Sequence, residues 1–219
     1  MSPWPAGMRL DPDVYESLCR MAASVSVPLH EVFQQIGPIA VPPPSHASVA
    51  DRLFVEVVNQ QLSTRAALAI WGRIEAAAAA RSEPVRALFA EDSTGEAATS
   101  LRACGVSGNK VRALQAIHAA DAAGLLGPEL AMLPHPERAR HLCRIRGVGP
   151  WTADMIGIFH FLDPDIWPLG DVAAVGTLRR LAGCTDTVPV AASFAPYRSL
   201  LARYLWRSRD AAAPSVAAA

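Results

Sequence analysis

The chain has a single lysine, Lys110, against nineteen arginines. Chemistry that runs through a Schiff base needs an amine nucleophile, so it would have to use that lysine or the N-terminal amine. Cysteines are few. Cys19, Cys104, Cys143 and Cys184 stand about forty or more residues apart with no CxxC pair. That spacing excludes a sequence-evident zinc site or cysteine-ligated cluster and argues against a disulfide framework. Long apolar runs are missing too: Ala76 to Ala80 is far too short to span a bilayer. The opening Met1-Ser-Pro-Trp-Pro lacks a basic segment followed by an apolar one, so no secretory signal is expected and the cytoplasm is the expected compartment. What is present is globular: 219 residues, 51% hydrophobic and 18% charged, enough to bury a core.

Net charge is zero, which by itself argues against a polyanionic partner. The average hides an asymmetry. Residues 1–109 carry 8 basic and 11 acidic side chains, a balance of −3, and residues 110–219 carry 12 and 9, a balance of +3. Arg138, Arg140, Arg144 and Arg146 cluster against one acid, Glu137. Such a run alone reads as a solvated helix face; its neighbours give it further meaning.

Apolar positions recur at helical spacing and alternate hardly anywhere, which predicts an all-α fold. Helices are expected over about 12–25, 29–36, 48–62, 64–80, 84–90, 95–104, 108–123, 136–145, 150–162, 172–182 and 194–208. Pro42-Pro43-Pro44, Ser93-Thr94-Gly95, Gly105 and Gly127-Pro128 break the chain between them. The small-residue tail is expected to be disordered.

The informative stretch runs from Leu142 to Phe159. A helix ending near Arg146 meets Gly147-Val148-Gly149, and Pro150 opens the next helix. Glycines at 147 and 149 permit positive φ and close backbone approach. The N–H groups of such a helix start suit a phosphate oxygen, and with Arg144 and Arg146 beside it the turn fits a clamp on a DNA backbone that reads no sequence. A tight helical corner that only packs is the other reading. Twenty residues after Trp151 comes Trp167-Pro168-Leu169-Gly170-Asp171. Asp171 sits where a helix N-cap belongs, and a helix start favours its ionised form, which suits an anion set against a cation.

The glycine hairpin, Trp151-Thr152-Ala153 and Pro168-x-Gly170-Asp171 together resemble the helix-hairpin-helix glycosylase superfamily. The branch they resemble most is the 3-methyladenine DNA glycosylase II family of alkylated-base excision enzymes, of the compact all-helical type. Asn59-Gln60-Gln61-Leu62-Ser63, Leu101 to Lys110, and Pro196-Tyr197-Arg198-Ser199 leading to Tyr204-Leu205-Trp206 agree with it, in the family's order. The resemblance implies a two-lobed all-α fold with the active-site cleft between lobes. It divides the chain into an N-terminal helical segment 1–45, a core 46–208 with its hairpin at about 142–160, and a tail 209–219.

It also implies roles. The target nucleotide is extruded from double-stranded DNA into a pocket. Asp171 is the implied catalytic carboxylate, Trp151 and Trp206 the pocket aromatics, and Met155 stands where the branch often carries a tyrosine, which weakens stacking. Gly147, Gly149 and Thr152 belong to the DNA-binding hairpin, and Gln61 is the implied wedge that fills the gap left by the flipped base. Relatives often hold a monovalent cation on hairpin carbonyls, here those of Cys143, Ile145 and Val148. No other cofactor is implied, and the iron–sulfur cysteine loop of other branches is absent.

An N3- or N7-alkylated purine is cationic and already a good leaving group, so one carboxylate that stabilises the sugar cation and positions water is sufficient. A flat aromatic wall attracts such a base. Related lyases carry their lysine two residues after the second hairpin glycine, where this chain has Trp151, so a monofunctional hydrolase is expected, acting as a monomer in the cytoplasm (at the nucleoid, in a bacterium) and apart from membranes. The neutral charge predicts weak, salt-sensitive DNA binding. Phe194 stands where a tryptophan often precedes the Pro-x-Arg-Ser stretch. Two other readings stay open: a glycosylase for deaminated, oxidised or mismatched bases, and a non-catalytic helix-hairpin-helix DNA-binding module.

Overall fold

A computed structural model describes residues 9–92 and 94–212. The described residues hold no strand; a single antiparallel bridge joins Arg9 and Ala40. The all-helical expectation is met. The chain divides into two compact units, one made of 1–45 with 157–219 and the other of 46–156.

In the first unit, α1 (Pro12–Val25) and α2 (Val27–Ile36) share Ser26 as their junction. The extended backbone of Ser26 ends α1, and its hydroxyl caps α2 by accepting from Leu29 N while donating to Leu181 O at 2.8 Å. With α9 (Val172–Ala182), α10 (Val188–Ala192) and α11 (Arg198–Ala212), these helices enclose a core of Leu18, Leu29, Phe33, Leu178, Leu201 and Leu205. Phe33 stacks on Tyr204 with ring centroids 4.1 Å apart, and the buried phenol finds its partner in Gly37 O at 2.8 Å.

The second unit holds α3 (Val49–Asn59), α4 (Thr64–Ala80), α5 (Glu96–Ala103), α6 (Gly108–Ala122), α7 (His135–Leu142) and most of α8 (Pro150–Phe159). Val85–Phe89 and Pro128–Met132 form short 3₁₀ turns. α3 packs against α4 and α6, burying Leu53, Phe54, Val57, Leu114 and Ile117.

Departures from the predicted boundaries have local causes. α7 stops at Leu142 and not 145, because the chain turns into the glycine hairpin. α3 stops at Asn59 and not 62, giving up three residues to the loop that follows. The last helix begins at Arg198 rather than 194, since Pro196 disfavours helical backbone at the residue before it. It then runs on through 209–212, where the tail was expected; 213–219 lie outside the described residues.

Candidate active site and nucleic-acid interface

The second unit builds the hairpin from α7, a tight turn and α8. Gly147 adopts φ +85°, and a Cβ there would run into the Cβ of Ala113 on α6. Glycine is therefore required twice over, by backbone conformation and by packing. Gly149 differs. The positive φ that glycine permits is used at Gly147 and not at Gly149, where a Cβ would meet nothing within 4 Å. Its face is open space. Its carbonyl accepts the N–H of Ala153 at 3.0 Å, so α8 starts here, and the N–H groups of Gly149 and Thr152 precede the helix's own acceptors. Arg144 and Arg146 are exposed on the same turn, while Ile145 and Val148 pin it inward.

Thr152 is buried at 2% exposure, and its hydroxyl accepts from Gln60 Nε2 at 3.0 Å. Its side chain is thus occupied within the protein, leaving its backbone N–H as the group suited to a phosphate. Gln60 Nε2 also reaches Gly147 O at 3.2 Å. One residue further, Gln61 is exposed and held at φ +58°, a conformation uncommon for a residue with a side chain. Ser63 then caps α4 by accepting from Ala66 N at 3.3 Å. Lys110 Nζ donates to Val58 O at 2.9 Å and Gln60 O at 2.7 Å, capping the end of α3 with a positive charge. Burial pulls its pKa below the ordinary lysine value.

In the first unit Asp171 is the N-cap of α9, accepting the N–H of Ala174 at 2.7 Å. The indole N–H of Trp206 donates to the same oxygen, Oδ1, at 2.9 Å. Trp206 is half-buried and stacks on Phe159, centroids 5.5 Å apart. Arg203 lies over the other partner of that stack, its Cζ 4.6 Å from the Phe159 ring centre, and donates to Ile158 O at 2.8 Å. A cavity of about 280 Å³ opens beside them, lined by Ile39, Ala40, Phe159, Arg203, Trp206 and Arg207. Leu169 and Val172, flanking Gly170-Asp171, are exposed at 57% and 86%, an apolar rim around the carboxylate.

The loop that carries Asp171 is fixed by the Pro-x-Arg-Ser stretch. Arg198 grips Asp165 in a two-pronged ion pair, Nε to Oδ1 at 2.7 Å and a terminal nitrogen to Oδ2 at 3.0 Å. The hydroxyl of buried Ser199 accepts from Ile166 N at 2.9 Å, and its own N–H donates to Pro164 O at 2.9 Å. The guanidinium holds the Asp165 carboxyl below its ordinary pKa.

Trp151 is partly exposed and Met155 is buried at 4%. Asp154, one turn along α8, lies 2.9 Å from His135 Nε2, tying the first turn of α7 to α8. Of the hairpin carbonyls expected to hold a cation, that of Ile145 also accepts the N–H of Val148 at 3.0 Å, which leaves it a second lone pair. A larger cavity, about 560 Å³, lies in the second unit between α3 and α4, lined by Phe54, Trp71, Phe89 and Leu68 among others. Of the residues picked out by sequence, Asn59 and Leu62 line it, whereas Asp171, Trp151, Trp206 and the hairpin residues do not.

Sequence reasoning missed Gln60, Lys110, Arg198 and Ser199 as supports. Gln60 stands directly beside the expected wedge Gln61 in the sequence, which is one signal. A lone lysine in an arginine-rich chain is a second signal, because a compact ammonium with rotatable donors suits two carbonyls that face different ways.

No family model matches the chain. Over 166 residues it is 30% identical to DNA-3-methyladenine glycosylase 1 of Schizosaccharomyces pombe, covering 72% of this chain and 71% of that protein. A solved structure of Schizosaccharomyces pombe 3-methyladenine DNA glycosylase in complex with abasic DNA superposes with a TM-score of 0.75 at 24% identity, over 90% of this chain and 97% of that one. A Bacillus halodurans DNA-3-methyladenine glycosidase gives 0.69 at 25% identity, over 90% and 89%. With this extent of similarity, and with the hairpin and the capped aspartate in place, the chain belongs to the 3-methyladenine DNA glycosylase family.

Proposed function

We propose that the protein is a monofunctional DNA N-glycosylase that flips alkylated purines of the 3-methyladenine and 7-methylguanine type out of duplex DNA and hydrolyses their N-glycosidic bond. The observation that carries this reading is the Asp171 carboxylate, fixed on Oδ1 by Ala174 N–H and Trp206 N–H. Two donors on one oxygen lock the group's orientation without any reorganisation during the reaction, the condition under which a charge best stabilises a developing cation. The cation here is the oxocarbenium-like sugar, and the same carboxylate orients the attacking water.

Double-stranded DNA containing damaged bases is the partner, held by a monomer in whichever compartment holds that DNA, the cytoplasm in a bacterium. Gly149 offers the phosphate a face with no side chain, the N–H groups of Gly149 and Thr152 donate, and Arg144 and Arg146 supply charge. Gln61, exposed and outward, is the wedge. Trp206, beside Asp171, and Trp151, partly exposed at the start of α8, are the aromatic faces this reading assigns to the base, with Met155 buried one turn along α8. The neutral carbonyl oxygens of Cys143, Ile145 and Val148 suit Na⁺ or K⁺, which when bound adds positive charge next to the phosphate. Lys110 is held by two backbone carbonyls and partly desolvated, which leaves it poorly placed as a lyase nucleophile.

The test is single-turnover release of 3-methyladenine, 7-methylguanine, hypoxanthine and uracil from otherwise identical duplexes, each divided by its spontaneous rate. The cationic purines should show the larger enhancement, and no strand cleavage should follow base release. Faster relative release of uracil would assign the enzyme to another lesion class; release of no base at all would leave a DNA-binding module.

A further inference from the structure

The loop between α3 and α4 is short, polar and exposed, yet its backbone is tightly determined. Gln61 sits at φ +58°, and a residue with a side chain persists there only where its surroundings over-determine it. Gln61 is the third residue of a turn closed by Leu62 N–H to Asn59 O at 3.1 Å, and the turn is anchored through the residue before it, Gln60. Its backbone carbonyl accepts from the Lys110 ammonium at 2.7 Å, and its side-chain Nε2 donates to Gly147 O at 3.2 Å and Thr152 Oγ1 at 3.0 Å. Lys110 adds a bond to Val58 O at 2.9 Å, so the end of α3 and the loop are anchored by one side chain. Thr152 is buried, Gly147 is packed against α6, and Lys110 lies on that same α6 in its first turn. The loop is thereby strutted against α6 on one side and against the hairpin on the other, all within the 46–156 unit.

We propose that Lys110 and Gln60 are positioning residues for base extrusion: together they hold Gln61 in its outward, left-handed conformation at a fixed register to the hairpin, without touching DNA themselves. The inference rests on the reading of Gln61 as the wedge. A wedge acts by occupying the gap that the flipped nucleotide leaves, so its contribution depends on where it stands relative to the phosphates that the hairpin grips. A free loop would surrender that contribution to conformational entropy. The ammonium is suited to this task as a point charge with rotatable donors, able to serve two carbonyls that face different ways.

The strut predicts a signature that a merely stabilising contact lacks. Extruding a base costs unstacking and unpairing, and the cost is least where the base is already unpaired. Lys110→Met and Gln60→Leu should each slow single-turnover release of 7-methylguanine paired with cytosine, on the order of tenfold for lost hydrogen bonds of this kind. Release of 7-methylguanine placed opposite a tetrahydrofuran abasic analogue should fall far less. Lys110→Arg should restore part of the loss. Because both residues act through one strut, the double variant should be no slower than the slower single variant. Should Lys110→Met fail to fold by circular dichroism, Gln60→Leu carries the test, since it keeps the backbone carbonyl that Lys110 uses. Equal losses on paired and unpaired lesions, or additive losses in the double variant, would overturn the proposal. A 2-aminopurine placed beside a tetrahydrofuran site separates it from the wider reading: an enzyme that releases no base but brightens the probe, with variants that do not, keeps the strut and loses the glycosylase.

Discussion

Trp206 and Asp171 are joined by a 2.9 Å hydrogen bond from indole N–H to carboxylate, thirty-five residues apart in sequence. The tryptophan expected to serve as a wall for the base is thus also the orienting donor of the carboxylate. The two roles separate by substitution. Trp206→Phe keeps an aromatic ring able to stack on Phe159 and removes only the donor. Single-turnover base release should fall roughly tenfold or more, as for loss of a hydrogen bond to a charged group, while affinity for duplex containing an abasic analogue stays close to wild type. Trp206→Ala should lose both roles, and should penalise cationic purines more than neutral bases.

Asp171→Asn should abolish base release and leave the protein folded. The amide oxygen can still accept Ala174 N–H and cap α9, but it carries no charge to set against the sugar cation. Asp171→Ala removes the cap as well and should lower stability by about 1 kcal/mol. Chemical denaturation alongside release assays distinguishes the two; rapid release by the asparagine variant would take Asp171 out of the mechanism.

The hairpin glycines make opposite predictions. Gly147→Ala places a side chain at φ +85° and against Ala113, and should destabilise the fold by roughly 2–5 kcal/mol from left-handed strain and overpacking together. Gly149→Ala meets open space and should melt like wild type. If that open face receives a phosphate, Gly149→Ala should weaken binding to damaged and undamaged duplex alike, and Gly149→Asp more strongly, across a range of salt concentrations. Unchanged affinity in both variants would make the hairpin a packing corner only.

Acid should loosen the loop that carries Asp171. Arg198 holds the folded Asp165 carboxyl below its ordinary pKa, so its contribution to stability is complete above the unfolded carboxylate value. That contribution is lost as pH falls from there through the depressed folded value. The pair is about one-third exposed on each side, so the effect is modest. Thermal melts across the acidic range should show a shallower pH dependence in Asp165→Asn than in wild type, with the two curves converging at low pH.

Much of this architecture was legible in the sequence, and the illegible parts share a cause. Helices 12–25, 64–80 and 172–182 were delimited correctly because proline, serine and aspartate mark their starts locally. Asp171 as an N-cap was legible for the same reason. The partners of Asp171, Gln60 and Asp165 were not. Trp206, Lys110, Thr152 and Arg198 each lie more than thirty residues from the group they hold, on helices whose own pattern does not report the contact. Nothing in the residues around Trp206 indicates which acceptor its indole will find. Thr152 shows the converse: proximity to the hairpin suggested a phosphate contact, but burial gave its hydroxyl to Gln60.

The unit formed by 1–45 and 157–219 is discontinuous in the chain, and this sets an order of events during synthesis. Leu18, Leu29 and Phe33 leave the ribosome well before their partners Leu178, Leu201 and Tyr204, which follow only after the whole 46–156 segment has been made. At roughly 5–20 residues per second, α1 and α2 wait on the order of ten seconds with their apolar faces uncovered, while the 46–156 segment has all of its own contacts to hand. Vectorial production therefore finishes the hairpin and its strut before the carboxylate has a scaffold. A circular permutant that moves 1–45 behind 212 would end that wait, and its yield of soluble protein would measure how much the wait matters.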